Sequence, residues 1–148
     1  MGTISTTRHI NAPVAEVFRA ITDVEHFVDE VPHITDIEFL SETRSGVGTK
    51  FRETRVMNGR EAKATLEMTE YAENEHVRFV SDEGGTIWDT VMAVHEDGGA
   101  TRLEMAMDVR PYKLISKIVT PLISGMVTKA IEADMDSLKE RCEAKAAG

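Results

Sequence analysis

The sequence predicts an α+β fold in which a curved antiparallel sheet wraps around a long C-terminal helix. Three observations predict it. Tight-turn signals recur at short intervals from Ser45 to Gly99, the pattern of an antiparallel meander. After Pro111 the apolar period becomes helical, with Ile123, Val127, Ile131, Met135, Leu138 and Cys142 on one stripe. A lone strand and two short helices precede the meander. A sheet with one apolar face has to cover it, and only the last helix is long enough to do so.

Thr3 to Ile10 alternates as a first strand, with Ile4, Thr6, Arg8 and Ile10 on one face. Asn11-Ala12-Pro13 opens a helix with proline at its first position, and Val17, Phe18, Ile21 and Val24 follow at helical spacing. A second short helix covers Glu25 to Glu30 and stops before Pro32. Ile34 to Glu42 reads as a strand and Ser45-Gly46-Val47-Gly48 as a turn. Asn58-Gly59 is a hairpin turn that sets Met57 opposite Arg60, Arg55 opposite Ala62, Glu53 opposite Ala64 and Phe51 opposite Leu66.

Tyr71 to Glu75 reads as a connection. Gly84-Gly85 then joins His76–Asp82 to Thr86–His95, with Ser81 facing Trp88, Phe79 facing Thr90 and Val77 facing Met92. Asp97-Gly98-Gly99 leads into Thr101–Arg110, so that Val94, Leu103, Met105, Met107 and Val109 continue the inner face. Tyr112 to Val119 is a short helical or irregular lead-in, and Tyr112 marks the strand-to-helix corner or gates the pocket mouth, the corner being the preferred reading. Thr120-Pro121 reads as the N-cap and first-turn proline of the long helix.

At 148 residues, 41% hydrophobic and 29% charged, the chain fits one soluble domain spanning residues 1–148. A formal net charge of −9 argues against nucleic acid or anionic lipid as the main partner. The single Cys142 excludes an internal disulfide and fits a reducing compartment. The amino terminus lacks a signal-peptide core, and no run of about eighteen apolar residues is present. The expectation is therefore a cytoplasmic protein without stable membrane insertion. His9, His26, His33, His76 and His95 are scattered rather than set at metal-ligand spacing, so neither metal nor cofactor is expected.

Glu53 and Arg55 fall on the strand face that should be apolar, opposite two alanines that leave room. Charges are rare on an inner face unless they are paired or meet a ligand. Two readings stand side by side: a polar anchor for a ligand carbonyl, hydroxyl or carboxylate, or a structural ion pair. Met57, Met68, Met92, Met105 and Met107 have inward parity, and Met126 and Met135 lie on or beside the helix stripe. They form either an adaptable lining or ordinary core. Trp88, Ser81 and Thr90 share the inner face.

Over its whole length the chain resembles the START-like (SRPBCC) superfamily, close to the polyketide cyclase/dehydrase and coenzyme Q-binding branch. The resemblance rests on Ile10-Asn11-Ala12-Pro13-Val14-Ala15-Glu16-Val17-Phe18 with Asp23, and on Phe27 with Val31-Pro32. It rests further on Gly46-Val47-Gly48-Thr49, Trp88, and Leu138-Lys139 in the helix that starts near Pro121. The resemblance implies a helix-grip fold and a small hydrophobic molecule, lipid-, quinone- or polyketide-like, held between sheet and helix. The candidate lining is Phe51, Glu53, Arg55, Met57, Leu66, Phe79, Ser81, Trp88, Thr90, Met92, Met105, Met107 and Met126.

The superfamily includes carriers, hormone-binding proteins, aromatic polyketide cyclases and chaperone activators, so the fold does not fix the chemistry. One reading is a ligand-binding protein. Another is a cyclase or dehydratase in which Glu53 is the acid or base and Arg55 stabilises a developing enolate. An adjacent arginine keeps a carboxylate ionised, which favours the base role. A third reading, a module acting on an unidentified protein partner, needs an exposed apolar patch, and the outer sheet face reads as polar.

Overall fold

Asn58 and Gly59 adopt left-handed backbone (φ 53° and 74°), as a two-residue hairpin turn requires. In the computed structural model, which describes residues 2–148, this turn joins β3 (Lys50–Met57) to β4 (Arg60–Ala72). Their register is the expected one, with Arg55 facing Ala62, Glu53 facing Ala64 and Phe51 facing Leu66. The other strands are β1 (Gly2–Ile10), β2 (Ile34–Phe39), β5 (His76–Glu83), β6 (Thr86–Asp97) and β7 (Ala100–Pro111). All pairings are antiparallel, in the order β1-β7-β6-β5-β4-β3-β2. Ser81 faces Trp88, and Met92 faces both Val77 and Met105, as the turn positions predict.

Helix α1 (Val14–Thr22), a 3-10 turn at Val24–His26 and α2 (Phe27–Glu30) follow β1. Pro13 stands at the N-cap of α1 rather than inside it. β4 runs on to Ala72 where a connection was expected, because a bulge between Met68 and Glu70 restores the pairing of Tyr71 with Val77. The core gathers Val17, Phe18 and Ile21 of α1 with Val77, Val94 and Leu103 of the sheet. Phe27, Phe51 and Phe79 meet edge-to-face at its centre, with centroids 5.9–6.2 Å apart.

The long helix α3 (Leu114–Ala147) begins before Thr120-Pro121, where its start was expected. Ser116 supplies the cap instead. Its Oγ accepts the Lys113 N–H at 3.1 Å and lies 2.8 Å from the Gly85 carbonyl. Gly85 has φ +87°, and a Cβ there would meet the Lys113 side chain at 2.8 Å, so the turn admits the helix closely. Thr120 is buried and its hydroxyl meets that of Thr86 at 3.1 Å. Pro121 is accommodated inside the helix on the exposed side, where water can satisfy the carbonyl that its missing N–H leaves free.

Two arginines tie α3 to the sheet at its middle. From β1, Arg8 pairs with Glu132 at 2.5 Å and Asp136 at 2.8 Å. From β3, Arg55 pairs with Asp134. Around and beyond this clamp Ile131, Met135, Leu138 and Cys142 are buried in the core. The end of the helix is tied to α2 by Lys145, whose Nζ lies 2.6 Å from buried Glu30. Burial pushes the Cys142 thiol up to about 11.

Candidate functional site

The pleat of β3 turns Glu53 and Arg55 inward, as their parity requires. There they meet a group that the sequence reading missed. Arg55 Nη1 and Nη2 donate to Asp134 Oδ1 and Oδ2 of α3 at 3.2 and 2.8 Å, a bidentate pair. Glu53 Oε1 lies 3.6 Å from Arg55 Nε, beyond hydrogen-bond reach. Asp134 carried a legible signal, since it stands three residues after Ile131 and four before Leu138 on the core stripe.

This arrangement changes the expected electrostatics. Burial pushes the Glu53 carboxyl above its ordinary value; Arg55 opposes the shift and the Asp134 charge adds to it. Arg55 therefore does not hold Glu53 low, as its neighbour position implied, because its fork is spent on Asp134. Burial draws the Arg55 guanidinium down, but the two carboxylates outweigh it and keep it above its ordinary value.

The predicted lining separates into groups. Phe51, Phe79 and Met105 are buried in the core. Met57, Leu66, Trp88, Thr90, Met92 and Met107 have inward parity and remain partly exposed; Leu66, Met92 and Met107 pack against the core, and Trp88 lines a cavity. Ser81 is buried and, among the described residues, its hydroxyl has no hydrogen-bond partner. Met126 is corrected: it is 49% exposed, because its position on α3 turns it away from the buried stripe.

A cavity of about 120 Å³ lies between Ile4, Trp88 and Val109 of the sheet and Thr120, Ser124 and Val127 of α3. A second concavity of about 460 Å³, between α1, α2 and the end of α3, is lined by Glu16, Arg19, Asp23, Asp29, Glu30, Arg141 and Lys145 among others. Its charged wall does not suit an apolar molecule. Neither of these two is lined by Glu53 or Arg55, whose neighbour from α3 is Asp134. On the surface, Asp23, Glu25 and His26 bring ligand-type atoms within 4.8 Å of one another. The Asp23 carboxylate there accepts a 2.8 Å hydrogen bond from the His26 ring and raises its pKa.

The sequence profile described as polyketide cyclase / dehydrase and lipid transport matches residues 1–143. The chain belongs to this family. Cyclases, dehydrases and lipid carriers all handle hydrophobic molecules, so the family carries a general hydrophobic-ligand-binding role. No curated protein sequence matches the chain.

Among solved structures, TTHA0849 from Thermus thermophilus is similar at TM-score 0.80 and 21% identity, covering 98% of this chain and 99% of that one. A START superfamily protein from Mycobacterium smegmatis is similar at TM-score 0.72 and 18% identity, covering 98% and 97%. The di-domain ARO/CYC StfQ of the steffimycin biosynthetic pathway reaches TM-score 0.81 at 7% identity, covering 99% of this chain and 52% of that chain. At these identities the likeness shows the fold, which for this family member is the helix-grip arrangement of a curved seven-stranded sheet and a long terminal helix.

Proposed function

We propose that this chain, acting as one domain, binds a single uncharged hydrophobic molecule bearing a hydroxyl or carbonyl group. The molecule lies between the inner sheet face and the N-terminal half of α3. The observation that carries this reading is the Ser81 hydroxyl, buried without a partner opposite Trp88. A buried polar group left unmatched costs about 1–3 kcal/mol, so a ligand that satisfies it gains that amount in selectivity. The Arg55 guanidinium, already bidentate on Asp134, has its fork occupied rather than offered to an acidic ligand, which supports an uncharged one. At about 120 Å³ the cavity is smaller than the about 300–1,000 Å³ of common ligand sites. Binding a ring or acyl chain therefore requires Met57, Met92 and Met107 to re-pack, which their flexible chains allow. The single, buried Cys142 supports a reducing, cytoplasmic setting.

Native mass spectrometry of the purified chain, followed by titration of the ligand it retains, tests the reading. Trp88 is the only tryptophan, so its fluorescence reports occupancy directly. Ser81→Ala is expected to weaken binding about tenfold or more while leaving the fold intact. Unchanged affinity in that variant, or a ligand that leaves Trp88 fluorescence untouched, overturns the proposal.

A second reading, catalysis, is favoured by the raised Glu53 carboxyl, because a buried carboxyl that holds its proton more tightly suits an acid/base group. Turnover of a polyketone that falls about 100-fold or more in Glu53→Gln would establish it.

A further inference from the structure

We infer that the outward face of the N-terminal half of α3 docks side-on against the surface of an anionic lipid bilayer. Leu114, Ile115, Ile118, Val119, Leu122 and Met126 are between 43% and 80% exposed. At about 100° per residue they fill one arc of about 140°, turned away from the buried Ser116 and Thr120. From Leu114 to Met126 this stripe runs about 18 Å. Single exposed apolar residues are ordinary, but a contiguous stripe on one helix marks an interaction surface.

The helix also contains an 18-residue window apolar enough by composition to cross a bilayer, of which only 17% is buried. The window is not an unbroken apolar run, since Lys117, Lys129 and several hydroxyl residues interrupt this part of the helix. It lies across rather than through a membrane, because its other side is fastened to the sheet by Ser116 to Gly85 and Thr120 to Thr86.

Charge selects the occupant. The chain carries −9 overall, yet no acidic residue occurs between Asp108 and Glu132. Lys113, Lys117 and Lys129 lie in that span, all exposed and, among the described residues, in no ion pair. At the start of the helix Asp82 is held by the Tyr112 hydroxyl at 2.7 Å. An apolar stripe flanked by unpaired lysines is the composition of an interfacial helix, and anionic headgroups neutralise those lysines. A second copy packed across a two-fold axis would set the same lysines against each other. Thr120, Ser124 and Val127 line the cavity from the opposite side of these turns, so the docked face brings a lipid surface beside it. The inference does not depend on what the cavity holds.

The test is co-sedimentation of the full chain with vesicles of phosphatidylcholine alone or with about one-third phosphatidylglycerol at low salt. The bound fraction is expected to be about tenfold higher on the anionic vesicles and to fall as salt rises. Ile118→Glu/Leu122→Glu is expected to abolish binding to both. Lys117→Glu/Lys129→Glu is expected to bring anionic binding down to the phosphatidylcholine level. All four side chains are exposed, so circular dichroism should be unchanged. Failure to bind anionic vesicles, or equal binding by Ile118→Glu/Leu122→Glu, overturns the inference. So does a wild-type dimer that this variant renders monomeric while neither form binds vesicles, since a second copy then covers the face.

Discussion

The two halves of α3 share one helix and obey opposite rules. From the Arg8 and Arg55 clamp onward, Met135, Leu138 and Cys142 are buried among residues of α1 and the sheet. N-terminal to it, Leu114, Ile115, Ile118, Val119, Leu122 and Met126 point outward, and the first turns are held by hydroxyls, Ser116 on Gly85 and Thr120 on Thr86. One half is held by close packing, which penalises any lost volume. The other is held by a few hydrogen bonds over a space left partly unfilled. A helix can thus be anchored at one end and remain adaptable at the other, provided a charged clamp separates the two regimes.

Removing the clamp tests that division most severely. Asp134→Ala leaves the Arg55 guanidinium without its bidentate partner and should cost about 3 kcal/mol in urea unfolding, the low end for a buried pair because both side chains keep some water. Arg55→Met/Asp134→Leu should recover most of that loss, since two well-packed apolar groups replace the pair. If the single variant is neutral, the clamp is not what separates the halves.

Truncation on either side of the clamp sharpens the contrast. Leu138→Ala, in the packed half, is expected to cost about 3 kcal/mol. Leu122→Ala, in the exposed half, should stay within about 0.5 kcal/mol. Similar losses at both positions would mean that the halves are equally packed. Ser116→Ala should cost about 1 kcal/mol, the usual worth of a cap, and loosen hydrogen exchange mainly at the start of α3.

The smallest effect concerns pH. The Glu53 carboxyl is raised in the folded state from an ordinary 4.5, so its contribution is fully present below that value and is lost as pH rises through the folded pKa. Glu53→Gln should therefore gain stability relative to the wild type as pH rises from about 4 towards neutrality. A gap that narrows over that range would put the burial argument aside.

The sheet was legible because turn chemistry and period-two parity act locally. Asn58-Gly59 and Gly84-Gly85 fix two hairpins, and every inner-face pairing read from them recurs in the structure. The start of α3 was not legible from Thr120-Pro121. Its cap is Ser116, stabilised by docking on the Gly85 carbonyl, a tertiary contact that no short-range pattern records. Asp134 was overlooked because the stripe was read for apolar residues alone, although its spacing to Ile131 and Leu138 places it on the inner side. Met126 was misplaced for a related reason, since three residues from Ile123 puts it beside the stripe but turned off it.

The buried thiol near the end of the chain has a practical corollary. With Cys142 enclosed and its thiol pushed by burial up to about 11, alkylating reagents at neutral pH find almost no thiolate there. A cysteine introduced at Leu122 or Met126 would thus be modified alone, and a fluorophore or spin label could follow the outward side of α3 without first replacing the native sulfur.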